Sequence, residues 1–269
     1  MRQTLPEGGE EQPRIAHQLK KMREISATIL GEICEEFRHT RFRPAFEELK
    51  ITSSDPTAPQ PYSVLAPDGR KVFIYGTIDR VDSYRDGNDV YLRVIDYKTG
   101  QKKFKASLLR EEADLQLLLY MTSLWKTDSK RFLEELGVGE GGRVIPAGFH
   151  YFSSLTAAVK GITPTTPEEA RKLLGEAMRR SGMYLNDEKL MEAIDDTPEH
   201  RYLPRAKELY TMEELRAMLD LAEETLQKTA ADMTGGNLRP RPDQRNSHTH
   251  CAYCPYRMVC RITAHESDA

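Results

Sequence analysis

With 269 residues and 30.8 kDa, the chain is long enough to bury one large core and carry appended segments. A formal charge of −3 and a pI near 6.2 give no whole-chain signature of nucleic-acid binding, although a local basic channel fits within that balance. No apolar run is long enough to span a bilayer and no signal-peptide pattern opens the chain, which excludes a helical membrane protein and sets the expectation of a cytoplasmic one.

Residues 1–13 are polar, with Gly and Pro, and are expected to form a disordered tail. Residues 14–40 read as a helix, because Met22, Ile25, Ile29, Ile33 and Phe37 recur at three- and four-residue steps. Cys34 lies beside that stripe and is expected to be a buried structural thiol. Strands are expected over 45–51, 62–66, 71–84 and 90–98, with hairpin turns at Asp68-Gly69 and around Gly87-Asn88. A helix over about 110–127 follows, then a Gly-rich loop from Gly137 to Gly142 and a strand over 144–153. Residues 167–234 read as helical in three pieces, broken near Asn186 and Pro198–Pro204. The stretch from Gly235 to Cys260 is expected to be irregular. This order is that of an α/β fold, a mixed sheet flanked by helices with a helical annex. It divides into a core over 14–154, a helical part of the same domain over 155–234, and a cysteine-rich tail over 235–269 packing on that core. No Walker-type phosphate loop is present, so no ATPase activity is expected within the chain.

The chemistry concentrates on the second hairpin. If it closes symmetrically about Gly87 and Asn88, residues whose numbers sum to 175 face each other, and Asp79 lies opposite Asp96. Such a pair has Cβ atoms about 5 Å apart. Lys98, two residues beyond Asp96, shares its face. Like charges opposed on a sheet repel, and the neighbours Ile78, Val81, Val94 and Ile95 are apolar, so cationic charge is expected between the two acids. Lys98 supplies one charge, and a hard divalent ion on the carboxylate oxygens, Mg²⁺ or Mn²⁺, would supply more. That set suits phosphodiester hydrolysis, in which a metal lowers the pKa of a bound water and the lysine orients the water or stabilises developing charge. The alternative is a surface hairpin whose acids only solvate an edge. Asp82 falls on the opposite face by alternation and is left out of the site.

Gln116 and Tyr120 are four residues apart and share one face of the following helix, where both can donate hydrogen bonds. Lys102, Lys103, Lys105 and Arg110 follow the site and could track a phosphate backbone; a solvated basic loop is the equal alternative. Near the C-terminus, Cys251, Cys254 and Cys260 have the spacing of three thiolates around one metal centre. His248 or His250 could complete a zinc site with them.

Three runs then carry a resemblance: Gly76-Thr77-Ile78-Asp79-Arg80-Val81-Asp82, Asp96-Tyr97-Lys98-Thr99-Gly100, and Gln116-Leu117-Leu118-Leu119-Tyr120. Together they resemble the PD-(D/E)XK nuclease superfamily in its RecB-like branch, and most of all the C-terminal nuclease domain of the AddB family. The likeness runs from about residue 20 to 262. It implies a restriction-endonuclease-like core, metal binding by Asp79, Asp96 and the Tyr97 carbonyl, a catalytic Lys98, and Gln116 with Tyr120 as the motif that follows. It also implies a [4Fe–4S] cluster on Cys251, Cys254 and Cys260, single-stranded DNA or duplex ends as substrate, an AddA-type helicase–nuclease partner, and a role in double-strand break repair. The family's upstream histidine and fourth cluster cysteine have no match here, and Cys34 does not fill that place, so the resemblance reads as an N-terminally shortened form. Two alternatives stay open: a free-standing exonuclease resembling Cas4, and an inactive module that binds DNA or scaffolds a partner.

Overall fold

The computed structural model describes residues 12–98, 115–153, 180–198 and 208–237, together with positions 104, 166, 169, 202, 203, 255, 256 and 259. Helix α1 (Gln12–His39) leads into β1 (Arg43–Ile51), then a short hairpin of β2 (Ser63–Leu65) and β3 (Lys71–Phe73). A long hairpin follows, β4 (Gly76–Asp86) and β5 (Asp89–Lys98). Helices α2 (Leu115–Trp125) and α3 (Lys130–Leu136) precede β6 (Val144–Ser153). The remaining elements are β7 (Ser181–Leu185), α4 (Glu188–Ile194), β8 (Leu209–Tyr210) and α5 (Met212–Thr234).

Six strands form one mixed sheet in the order β1-β4-β5-β6-β7-β8. The long hairpin closes through Gly87 at φ 61°, a left-handed conformation that glycine adopts without a Cβ clash. Its register pairs Arg80 with Ile95, Val81 with Val94 and Asp82 with Arg93, the symmetric closure expected from the turn. β6 runs parallel to β5, and the crossover that a parallel pair requires contains α2 and α3. Ser129 caps α3 by accepting from the Phe132 amide, and Gly137 ends it at φ 69°. A reciprocal Thr211–Glu214 capping box starts α5.

Helices α2 and α5 cover one face of the sheet, burying Leu117, Leu118, Met121 and Leu215 with Val81, Val94, Phe149 and Tyr151. On the other face Ile29 and Ile33 of α1 pack on Ile95 and Phe152, and Leu190, Ala193 and Ile194 of α4 pack with Phe42, Ala147 and Tyr184. The mixed sheet flanked by helices is therefore as expected. Two expectations are corrected. Residues 181–185, expected helical, form β7, because Ser-Gly-Met-Tyr-Leu pairs antiparallel with β6 and its successive residues Met183 and Tyr184 bury on opposite faces; β8 then adds to the edge. Cys34 is exposed rather than buried, since α1 presents Ile29, Ile33 and Phe37 to the sheet at partial burial and leaves Leu19, Met22 and Leu30 in solvent. Helix α3 lies in a stretch to which no element was assigned, and residues 110–114 of the expected helix over 110–127 lie outside the described residues.

The face under α1 holds a buried ionic network. Arg80 grips both oxygens of Asp82 at 2.6 Å, and Arg93 reaches Asp82 at 2.9 Å and Glu36 at 2.8 Å. Arg180 closes on the second Glu36 oxygen. Burial alone would raise the Glu36 carboxyl, but the Arg180 and Arg93 guanidiniums hold it well below the usual range. Beside them His150 is fully buried against the Tyr184 hydroxyl. Desolvation, with the charges of Arg93, Arg180 and Arg80 opposing Glu36, pushes His150 well below its ordinary 6.5. A depressed pKa means that the unfolded chain takes up the proton first as pH falls. The stability from neutral His150 is therefore complete above 6.5 and declines below it. Stability measured by urea unfolding is expected to fall below pH 6.5 with a His150 contribution of about 1.4 kcal/mol per pH unit. His150→Asn should remove that part of the slope; identical slopes in the two proteins would count against it. His39, raised by bonding to Asp196 and Glu35, titrates with the opposite sign and is common to both.

Candidate active site

The paired register of the long hairpin ends at Arg80 with Ile95, and Asp79 follows on β4 one step toward the open end, where Asp96 follows on β5. Alternation sends Arg80 and Ile95 toward α1, and sends Asp96 and Lys98 toward α2. The Lys98 ammonium lies 2.5 Å from Asp96 Oδ2, over a carboxylate whose side chain is 4 % exposed. It also donates to Gln116 Oε1 at 3.5 Å, and the Gln116 amide donates to the Tyr120 hydroxyl at 3.2 Å. Four of the five side chains expected at the site thus form one chain of contacts from β5 to the start of α2. The fifth, Asp79, accepts from the Tyr97 backbone amide at 2.7 Å, which ties it to the strand between Asp96 and Lys98.

Tyr97 serves both faces. Its amide fixes Asp79, while its ring leans on Phe152 and its hydroxyl accepts from Arg80 at 2.9 Å on the α1 side. The ionic network around Asp82 therefore reaches the strand carrying the site through one residue. Asp82 itself is fully buried in that network, on the face opposite the site, as alternation requires.

Sequence reasoning passed over two contributors. Tyr151 on β6 sits in register with Asp96 and presents its ring 5.6 Å from the Lys98 ammonium, a cation–π contact that steadies the side chain. Strand alternation in Val144–Ser153 carries that signal, but only once β6 is known to lie parallel to β5. The second is Gly76. A Cβ there would come within 2.6 Å of the Tyr120 ring, so the missing side chain is what allows Tyr120 to lie against β4. Lys102, Lys103, Lys105 and Arg110, like Cys251, Cys254 and Cys260, lie outside the described residues. Among the described residues no group of three or more His, Cys, Asp or Glu side chains is arranged around a single metal position.

The profile of the PD-(D/E)XK nuclease superfamily matches residues 1–261. The chain belongs to this superfamily. Within it, the chain is 25 % identical to an ATP-dependent helicase/deoxyribonuclease subunit of Ruminiclostridium cellulolyticum, over 100 % of this chain and 23 % of that protein. The protein of the same name from Desulforudis audaxviator is 29 % identical over 92 % of this chain and 22 % of its own length. That of Acetivibrio thermocellus is 26 % identical over 90 % and 21 %. The chain thus spans less than a quarter of the curated relatives it matches.

For a PD-(D/E)XK nuclease, the contact of Tyr120 with Gly76 yields a direct test. Gly76→Ala is expected to displace Tyr120 and lower the DNA-cleavage rate by roughly ten- to hundredfold, since small misplacements near a reacting centre cost that much. Combined with Tyr120→Ala, the losses should not add. Full additivity in that double-mutant cycle would show that Gly76 acts elsewhere.

Proposed function

We propose that this chain is a metal-dependent deoxyribonuclease that hydrolyses phosphodiester bonds of single-stranded DNA. It would work as the nuclease domain of a helicase–nuclease that processes double-strand breaks for recombination. The observation that carries this reading is Lys98 held 2.5 Å from Asp96, with Asp79 across the hairpin and Gln116 and Tyr120 linked to the lysine. The helicase setting is supported by relatives named as subunits of ATP-dependent helicase/deoxyribonucleases. The partners are then DNA and an AddA-type helicase–nuclease protein.

The donor set fits a small hard cation. Asp79 and Asp96 offer carboxylate oxygens, the Tyr97 carbonyl follows Asp96 on β5, and magnesium commonly uses one or two carboxylates while keeping several waters. The ammonium already seated on Asp96 marks the place as one that draws cationic charge. When bound, Mg²⁺ or Mn²⁺ supplies Lewis acidity and charge neutralisation at the phosphate. The chain's own groups do the rest. Lys98 brings a compact cation that orients a water or stabilises charge developing on the phosphate oxygens. Gln116, bonded to both Lys98 and Tyr120, restricts where that ammonium can point. The Tyr97 amide orients the Asp79 carboxylate, and buried Val81, Val94 and Tyr151 close the floor to bulk water, which strengthens each charge above it.

A second metal centre is proposed in the tail on the strength of its spacing, with Cys251, Cys254 and Cys260 as thiolate ligands of a [4Fe–4S] cluster. Zinc with His248 or His250 is the other centre such ligands suit.

Asp96→Ala is expected to lower Mg²⁺- or Mn²⁺-dependent degradation of single-stranded DNA by about a hundredfold or more, as loss of a directly acting group does. Equal rates in the variant and the parent would remove Asp96 from the mechanism. A parent that binds DNA without cutting it in either metal would favour an inactive binding module. Protein purified without oxygen is expected to be brown and to carry iron and acid-labile sulfide; a colourless protein with one zinc selects the other centre, and neither metal would leave three free thiols.

A further inference from the structure

The short hairpin β2–β3 has two unlike faces. Val64, Ala66 and Val72, with Tyr62, pack on Leu226 and Ala230 of α5. The alternate residues point outward, and they are large and apolar: Leu65 is 59 % exposed, Phe73 47 % and Tyr75 59 %. Phe73 and Tyr75 stand side by side, ring centroids 6.4 Å apart and tilted by 44°. Burying the inner face explains the hairpin's fold; nothing in the fold requires aromatic rings on its outer face.

The position of the pair says what would cover it. Tyr75 is followed directly by Gly76, against which the Tyr120 ring lies, and Tyr120 is linked through Gln116 to Lys98. Phe73 and Tyr75 therefore adjoin, along the chain, the residue against which Tyr120 lies. Tyr75 precedes Asp79 by four residues, roughly 13 Å of strand. That is about four nucleotide steps at the stacked spacing of one strand, fewer if the strand is stretched. Lys71 lies on the outward row with Phe73, and Lys50 lies in register with Thr77, between the rings and Asp79; both are exposed and make no ion pair among the described residues. Exposed rings beside such cations, continuous with a phosphodiesterase site, match the chemistry of single-stranded nucleic acid. Bases stack on such rings without regard to sequence, and lysines follow the backbone.

We propose that Phe73 and Tyr75 form a stacking platform that holds the bases of the DNA strand being cut and feeds its phosphates past Tyr120 toward Asp79 and Asp96. The assignment rests on the nuclease reading above for its substrate class. Its test does not depend on cleavage. In EDTA, binding of a fluorescently labelled oligothymidylate to the full chain is measured by anisotropy for the parent, Phe73→Ala/Tyr75→Ala and Phe73→Tyr/Tyr75→Phe. The alanine pair is expected to weaken binding by roughly tenfold or more, and the aromatic exchange to keep it within about twofold. Phe73→Leu/Tyr75→Leu, which keeps an apolar surface and removes the rings, should behave as the alanine pair and covers the case in which alanine prevents folding. Phe73→Trp should lose indole fluorescence when the oligonucleotide is added. Equal affinity in parent and ring-less variants, or no binding by the parent, would overturn the platform. A parent that binds through the rings but cuts no DNA in Mg²⁺ or Mn²⁺ would overturn the nuclease reading and leave the platform standing.

Discussion

A fully buried guanidinium, that of Arg93, governs how this fold is put together. Removing such a charge from water costs several kcal/mol unless it is paired on all sides. Here Asp82 on the neighbouring strand and Glu36 on α1 meet it, Arg80 and Arg180 meet those acids in turn, and the Phe42 ring covers the guanidinium at 4.9 Å. An apolar contact would tolerate a sliding helix, but a paired charge does not. The network therefore fixes the seat of α1 on the sheet and the register of β4 against β5 more narrowly than packing of Ile29 and Ile33 alone could. Among the described residues it contains three cations and two anions, with His150 kept neutral at its edge, so a further positive charge there is strongly disfavoured.

The same two strands present opposite chemistry on their other face. Asp96 and Lys98 alternate with Arg93 and Ile95 along β5, so residues that lock the hairpin are interleaved with those of the candidate site. A one-residue slip of register would exchange the two sets and bury the site's acids under α1. Rigidity on one side thus supplies positional precision on the other. That arrangement suits a reaction in which the gain comes from holding charges where the transition state needs them. Outside this frame, the aromatic row beside β2–β3 sits on a smaller apolar cluster shared with α5.

Much of this was legible in the chain itself. The Gly87-Asn88 turn and the apolar alternation around it were sufficient to give the register from Asp86 with Asp89 to Arg80 with Ile95, because hairpin register follows from a short turn and a strict period of two. The four-residue step from Gln116 to Tyr120 put both on one helical face, where Gln116 bonds to both Tyr120 and Lys98. Arg93 was not legible, since an arginine among Tyr, Leu and Val reads as an outward strand residue unless the acid on a distant helix is known to reach it. β7 was hidden for a related reason: its strand state comes from pairing with β6, and its local composition resembles the helices beside it. The half-exposed stripe on α1 shows the converse, a clear helical period whose degree of burial the period does not determine.

The pairing of Glu36 with Arg180 has a consequence for the order of assembly. The two residues are 144 positions apart, whereas the hairpin bearing Asp79 and Asp96 closes over a turn of Gly87 and Asn88. Loop-closure entropy grows with span, so a contact of that separation is met only once intervening elements have already collapsed, while a hairpin needs little beyond its own turn. The strands that carry the acids of the candidate site are thus joined by a local event, whereas the clasp between Glu36 and Arg180 has to wait for α1 to settle on the sheet.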